Sequence, residues 1–64
     1  MNIIIVEYWR RTLDGYEYSS NRIFEKKEKA YMTLIMSGFK PLDKEELVFG
    51  RDGMKANITE REVE

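Results

Sequence analysis

Ile3-Ile4-Ile5-Val6-Glu7-Tyr8-Trp9-Arg10-Arg11-Thr12, followed by Leu13-Asp14-Gly15-Tyr16, is the stretch whose reading sets the fold. The run is dense in β-branched and aromatic side chains, and an Asp-Gly step separates it from a second aromatic stretch. Two such runs around Asp-Gly read as a β-hairpin, because a tight turn of the mirror-image kind needs positive φ at its centre. With Asp14 and Gly15 at that centre, Leu13 is expected opposite Tyr16, Arg11 opposite Tyr18, Trp9 opposite Ser20, Glu7 opposite Arg22 and Ile5 opposite Phe24. The Glu7 and Arg22 pair is charge-complementary in this register. Ile4, Val6, Tyr8 and Ile23 then share the other face, which is apolar at the base of the hairpin and more polar near the turn.

Working outward, the chain changes character at Glu25, where Lys26-Lys27-Glu28-Lys29-Ala30 are good helix formers and the pattern continues to Met36. Ala30 and Leu34 lie one turn apart, flanked by Tyr31 and Ile35, and form an inward stripe. Lys26, Lys29 and Thr33 point outward, and Met32 and Met36 widen the apolar arc. No Ser, Thr or Asp stands before the helix, so Glu25 or Lys26 must cap it. Gly38 fits the left-handed position just past a helix end, with Phe39 folding back on Leu34, and Pro41 forbids continuation.

A second Asp-Gly, at Asp52-Gly53, separates alternating segments between Glu46 and Thr59. Leu47, Phe49, Met54, Ala56 and Ile58 share one face and Val48, Lys55, Asn57 and Thr59 the other. The expected fold is α+β in the order β-β-α-β-β: a four-stranded antiparallel sheet of two hairpins with one helix packed on one face. Residues 1–59 are read as a single domain and 60–64 as an acidic C-terminal tail that frays. The expected core is Ile4, Val6, Tyr8, Ile23, Ala30, Leu34, Phe39, Leu47, Phe49 and Ile58. Ile5, Trp9 and Phe24 make the opposite face of the first hairpin nearly as apolar.

A chain of 64 residues holds one core, and the absence of Cys and His removes disulfides and the usual zinc ligands. Self-association is the stabilising device left, and a surface greasy on two sides points to a homodimer. Eleven basic and twelve acidic side chains nearly cancel, so no global field draws in nucleic acid. The apolar run around Tyr31 to Met36 is far shorter than the roughly 20 residues of a membrane span. With no secretory leader pattern at Met1 either, the expected location is the cytoplasm, away from membranes.

Without His or Cys, the commonest general base and soft nucleophile are missing, and the chain reads as a non-enzyme. Glu45-Glu46, or Asp43 with Glu46, reads as a solvated acidic loop. Asp43, Glu45 and Glu46 lack the alternating spacing and central Gly of a calcium loop, so no metal is expected. Gly50-Arg51-Asp52-Gly53 has too few glycines for a phosphate loop, so no cofactor is expected. Arg10, Lys26, Lys27 and Lys29 form a basic feature, but interleaved Glu25 and Glu28 make the lysines a solvated helix face.

The constellation that carries chemistry is Trp9, Arg11, Tyr16 and Tyr18, converging beside Leu13 on one face of the first hairpin. Cross-strand aromatic pairs stabilise hairpins in their own right, and the face could be buried in a homodimer. Aromatic rings beside a guanidinium are also what a protein hot spot uses. The alternative is a weak single-stranded nucleic-acid binder, with bases stacked on the rings and cations on the phosphates.

The layout of Phe24, charged Glu25 to Lys29, Ala30, Leu34, Gly38-Phe39 and then a hairpin from Leu47 to Ile58 covers about half the chain. It resembles small uncharacterised proteins encoded by bacteriophages and prophages, departing from their pattern in the missing helix cap. The resemblance implies a small accessory or regulatory protein and assigns no functional residue.

Overall fold

The computed structural model describes residues 1–63 and contains β1 (Asn2–Thr12), β2 (Gly15–Phe24), α1 (Lys27–Met36), β3 (Lys40–Pro41), β4 (Val48–Arg51) and β5 (Met54–Glu62). The strands form one five-stranded sheet in the order β2-β1-β5-β4-β3, every neighbouring pair antiparallel. The α+β class, the two hairpins and the single helix agree with the sequence reading; the strand count does not. The extra strand is Lys40–Pro41, which pairs with Gly50 and Phe49. Two residues give no periodicity to detect, and Pro41 fits there only because an edge strand can spare an N–H. Among the described residues no helix is long and apolar enough to cross a membrane.

The first hairpin turns one residue earlier than expected. Leu13 and Asp14 are the turn's central residues, neither with positive φ, and Gly15 closes it at φ +131°. The Asp14 N–H donates to Thr12 Oγ1, and that hydroxyl donates to the Gly15 carbonyl, both at 3.3 Å. Thr12 thus holds the turn through its side chain, the local competition that short hydroxyl residues bring to turns. Arg11 therefore faces Tyr16 and Trp9 faces Tyr18.

Between Tyr8 and Trp9 the register then shifts. Tyr8 pairs with Ser20, so Ser19 is the extra residue of a β-bulge, and from there Glu7 faces Asn21, Ile5 faces Ile23 and Ile4 faces Phe24. A single inserted residue flips every later side chain to the other face. Ile23, expected in the core, is consequently 60% exposed on the side away from the helix, while Phe24 turns to the helix side and is partly buried. The expected Glu7 and Arg22 pair is absent for the same reason, and the Arg22 guanidinium lies 5.3 Å from the Phe24 ring centre.

The second hairpin follows the sequence reading. Asp52-Gly53 joins Arg51 to Met54, Gly53 takes φ +70°, and Phe49, Ala56 and Ile58 are buried. The fraying expected at 60–64 is not seen as far as Val63, since Glu60–Glu62 continue β5 opposite Ile4 to Asn2 and the Val63 N–H donates to the Met1 carbonyl at 2.7 Å. Glu64 lies outside the described residues. In the loop before β4, Asp43 Oδ1 accepts the N–H groups of Leu47 and Val48 at 3.0 and 3.1 Å. The carboxylate considered above as a metal ligand thus organises backbone.

The core is Ile4, Val6, Ala30, Leu34, Phe39, Phe49, Ala56 and Ile58, with Tyr8, Phe24, Tyr31, Leu47 and Met54 packed around it. Tyr8 and Leu47, expected as core, are thus partly buried at its margin. The helix presents Ala30 and Leu34 inward as their spacing requires, and its start at Lys26 has no side-chain cap. Its end is tightly made. Phe39 N–H donates to the Leu34 carbonyl and Gly38 N–H to that of Ile35, both at 3.0 Å, with Gly38 at φ +90°. This is the Schellman arrangement, and it drives Phe39 into the core.

Two glycine substitutions separate backbone strain from crowding. A Cβ on Gly38 would meet nothing closer than 3.7 Å, so Gly38→Ala should cost about 1–2 kcal/mol through its left-handed backbone alone. At Gly50 the added carbon would lie 2.9 Å from Leu42 Cδ1, the end of a flexible, exposed side chain. Gly50→Ala should therefore cost less than Gly38→Ala in urea denaturation; the reverse order would refute the assignment of strain.

Candidate functional site

The helix covers one side of the sheet, and no element of the described chain covers the other. Strand alternation places Ile3, Ile5, Glu7, Trp9 and Arg11 of β1 on this open face, with Tyr16, Tyr18, Asn21 and Ile23 of β2. β5 adds Lys55, Asn57, Thr59 and Arg61, β4 adds Val48 and Gly50, and β3 adds Lys40. Trp9, Arg11, Tyr16 and Tyr18, singled out in the sequence, do share this face. Their pairing differs from the expected one, and Leu13 is not beside them: it sits fully exposed at the turn.

The Trp9 and Tyr18 rings meet edge to face, 5.4 Å between centres at 83°. The Tyr18 hydroxyl accepts from Asn21 Nδ2, two residues that share a face at a spacing of three because Ser19 bulges between them. Lys55, brought opposite Trp9 by the β1–β5 pairing, holds its Nζ 5.7 Å from the Tyr16 ring centre. Lys55 and Asn57 escaped the sequence reading because residues some 46 and 48 positions beyond Trp9 have no local signal joining them to it.

Trp9, Tyr16, Lys55 and Asn57 line a cleft of about 260 Å³. Two of these residues each hold a buried polar atom without a hydrogen-bond partner, the donor Trp9 Nε1 and the acceptor Asn57 Oδ1. Buried polar atoms are nearly always paired, and leaving one unpaired costs about 1–3 kcal/mol, so this concentration in one cleft is unusual.

Charge is also unevenly placed. Among the described residues the open face carries Arg11, Lys40, Lys55 and Arg61 against one carboxylate, Glu7. The other acids lie in turns and loops, on the helix, or on the helix side of the sheet, where Glu17 pairs with Arg10 and Glu60 accepts from Asn2. A net charge of −1 conceals this separation.

A second cleft, about 410 Å³, lies on the helix side between Lys27, Glu28, Tyr31, Met32, Glu45 and Glu46. Burial, then a hydrogen bond to Glu46 and that group's charge, raise the Tyr31 phenol above its ordinary pKa. The carboxylates of this cleft belong to exposed residues, and no charged or polar residue is buried among those described. No described cluster of acids could hold a metal ion.

Compared with known proteins, the chain matches no family model, no curated sequence and no solved structure.

The unpaired indole N–H gives a stability test. Trp9→Phe keeps a ring against Tyr18 and discards a donor whose burial is unfavourable, so it should shift unfolding free energy by less than about 1 kcal/mol. Trp9→Leu, which loses the edge-to-face contact, should cost about 0.5–1.5 kcal/mol more than Trp9→Phe in the same urea titration. Equal losses would show that the ring contact contributes nothing.

Proposed function

We propose that this protein is a small non-catalytic binding module that takes an anionic partner on the open face of its sheet. The observation carrying this reading is the segregation of charge: four cations and one carboxylate share a face with Trp9, Tyr16 and Tyr18. A cationic surface with aromatic anchors recruits a negatively charged partner electrostatically and holds it by ring contact.

The same charges argue against self-pairing through this face. A symmetric dimer places the same patch on both sides of the interface, which would set eight cations against two carboxylates. Like charges brought together in this way oppose association. The homodimer expected from composition is therefore not the use we assign to this surface. The layout's resemblance to phage-encoded proteins fits an accessory or regulatory role for such a module.

Two polyanions of different backbone, poly-glutamate and a single-stranded oligonucleotide, test the reading, with quenching of Trp9, the chain's single tryptophan, as readout. At least one should bind at low salt and lose affinity as salt rises. The charge reversal Arg11→Glu with Lys55→Glu should abolish that binding without unfolding the chain, judged by circular dichroism. A protein that binds neither, or binds equally well after the reversal, is not such a module.

A further inference from the structure

We infer that the anionic partner is a single-stranded polynucleotide, and that the cleft between Trp9, Tyr16, Lys55 and Asn57 receives one of its bases. The inference rests on the binding-module reading above and names its partner. Three independent observations converge on it.

First, two residues lining the cleft hold an unmatched donor, Trp9 Nε1, and an unmatched acceptor, Asn57 Oδ1, both almost without accessible surface, so a turn of each side chain is needed to bring them onto a bound group. A nucleobase edge carries acceptors and donors side by side and can satisfy both atoms. A carboxylate carries only acceptors; it suits the indole N–H but can reach Asn57 only through the amide nitrogen, whereas a base edge serves the amide in either orientation. Second, its volume of about 260 Å³ lies just below the roughly 300–1,000 Å³ of drug-sized ligand sites, which suits a single planar ring. Third, Tyr16 and Tyr18 are 51% and 46% exposed, Arg11 lies opposite Tyr16 and Lys55 opposite Trp9, and Lys40 on β3 and Arg61 opposite Ile3 extend the cationic face away from the rings. Rings interleaved with cations serve a chain whose every unit has both a stacking face and a phosphate.

The strand must be single, because in a duplex the base edge is paired and its faces are stacked, leaving nothing to enter the cleft. Ribose and deoxyribose strands share this chemistry.

The test is a set of titrations of the whole 15N-labelled chain with mixed-sequence single-stranded DNA, the same strand as RNA, its DNA duplex and poly-glutamate. Trp9 quenching and the indole N–H resonance are followed together. Binding of either single strand, with a shifted indole resonance and preference over duplex and poly-glutamate, is expected. On a log–log plot, affinity should fall with salt at a slope of about −2 to −3, the value for four phosphate contacts to a single strand. Asn57→Leu and Tyr16→Ala should each weaken single-strand binding about tenfold or more. Their folding is checked by the amide spectrum, with Asn57→Thr as a milder variant that keeps an acceptor. Binding of poly-glutamate alone would overturn this inference and leave the anionic-partner reading intact. Binding of neither probe would remove both. Equal affinity for strand and duplex, or an indole resonance and an Asn57→Leu affinity unchanged from wild type, would overturn the assignment of the cleft.

Discussion

The pairing of β1 with β5, from Asn2 opposite Glu62 to Arg10 opposite Met54, is the constraint on which the rest of the molecule depends. It joins the two ends of the chain at the centre of the sheet, so neither hairpin is a free-standing unit. β1 has a neighbour on each side, and its alternation is therefore expressed twice: once in what packs on the helix and once in what faces away. Val6, with no exposed surface, sits in this doubly flanked strand beside Ile58. Isolated two-stranded hairpins are marginal in water, and only when they merge does either gain a covered apolar face.

The bulge at Ser19 then decides which side chains the joined sheet shows on each side. Beyond it, Ser20, Arg22 and Phe24 turn toward the helix while Asn21 and Ile23 turn away; before it, Tyr16 and Tyr18 look outward with Trp9. One unpaired residue thus gives β2 two different outward sets. The aromatic end of the open face and the apolar end near Ile23 belong to one strand read in two phases.

On the covered side the helix contributes little area but at fixed points. Ala30 and Leu34 are fully buried, and the Gly38 cap directs Phe39 back beneath them, where its ring meets Tyr8 at 5.9 Å between centres. Arg51 spans the same corner, its guanidinium 5.8 Å from the Phe39 ring centre and its NH1 group donating to the Ser37 carbonyl. With the apolar side closed in this way, the cations and rings of the opposite side are left to solvent. A near-neutral chain becomes a molecule with one basic aromatic face because strand pairing sorts residues by parity, and most of its acids fall in helix, turns and loops.

The sequence by itself determined the elements whose signals are local. The two hairpins, the Ala30 and Leu34 stripe, the Gly38-Phe39 stop and the buried set of the second hairpin all follow from residues within one or two turns of each other. The shared face of Trp9, Arg11, Tyr16 and Tyr18 was legible too, since odd positions of β1 and even positions near the turn of β2 remain together under either register. Tertiary structure alone decided the rest. The bulge at Ser19, the two-residue strand at Lys40–Pro41, and the arrival of Lys55 and Asn57 beside Trp9 depend on pairings between distant segments. No local propensity encodes which strand lies beside which, because that choice is made by the joint burial of apolar faces, available only once the whole chain has closed.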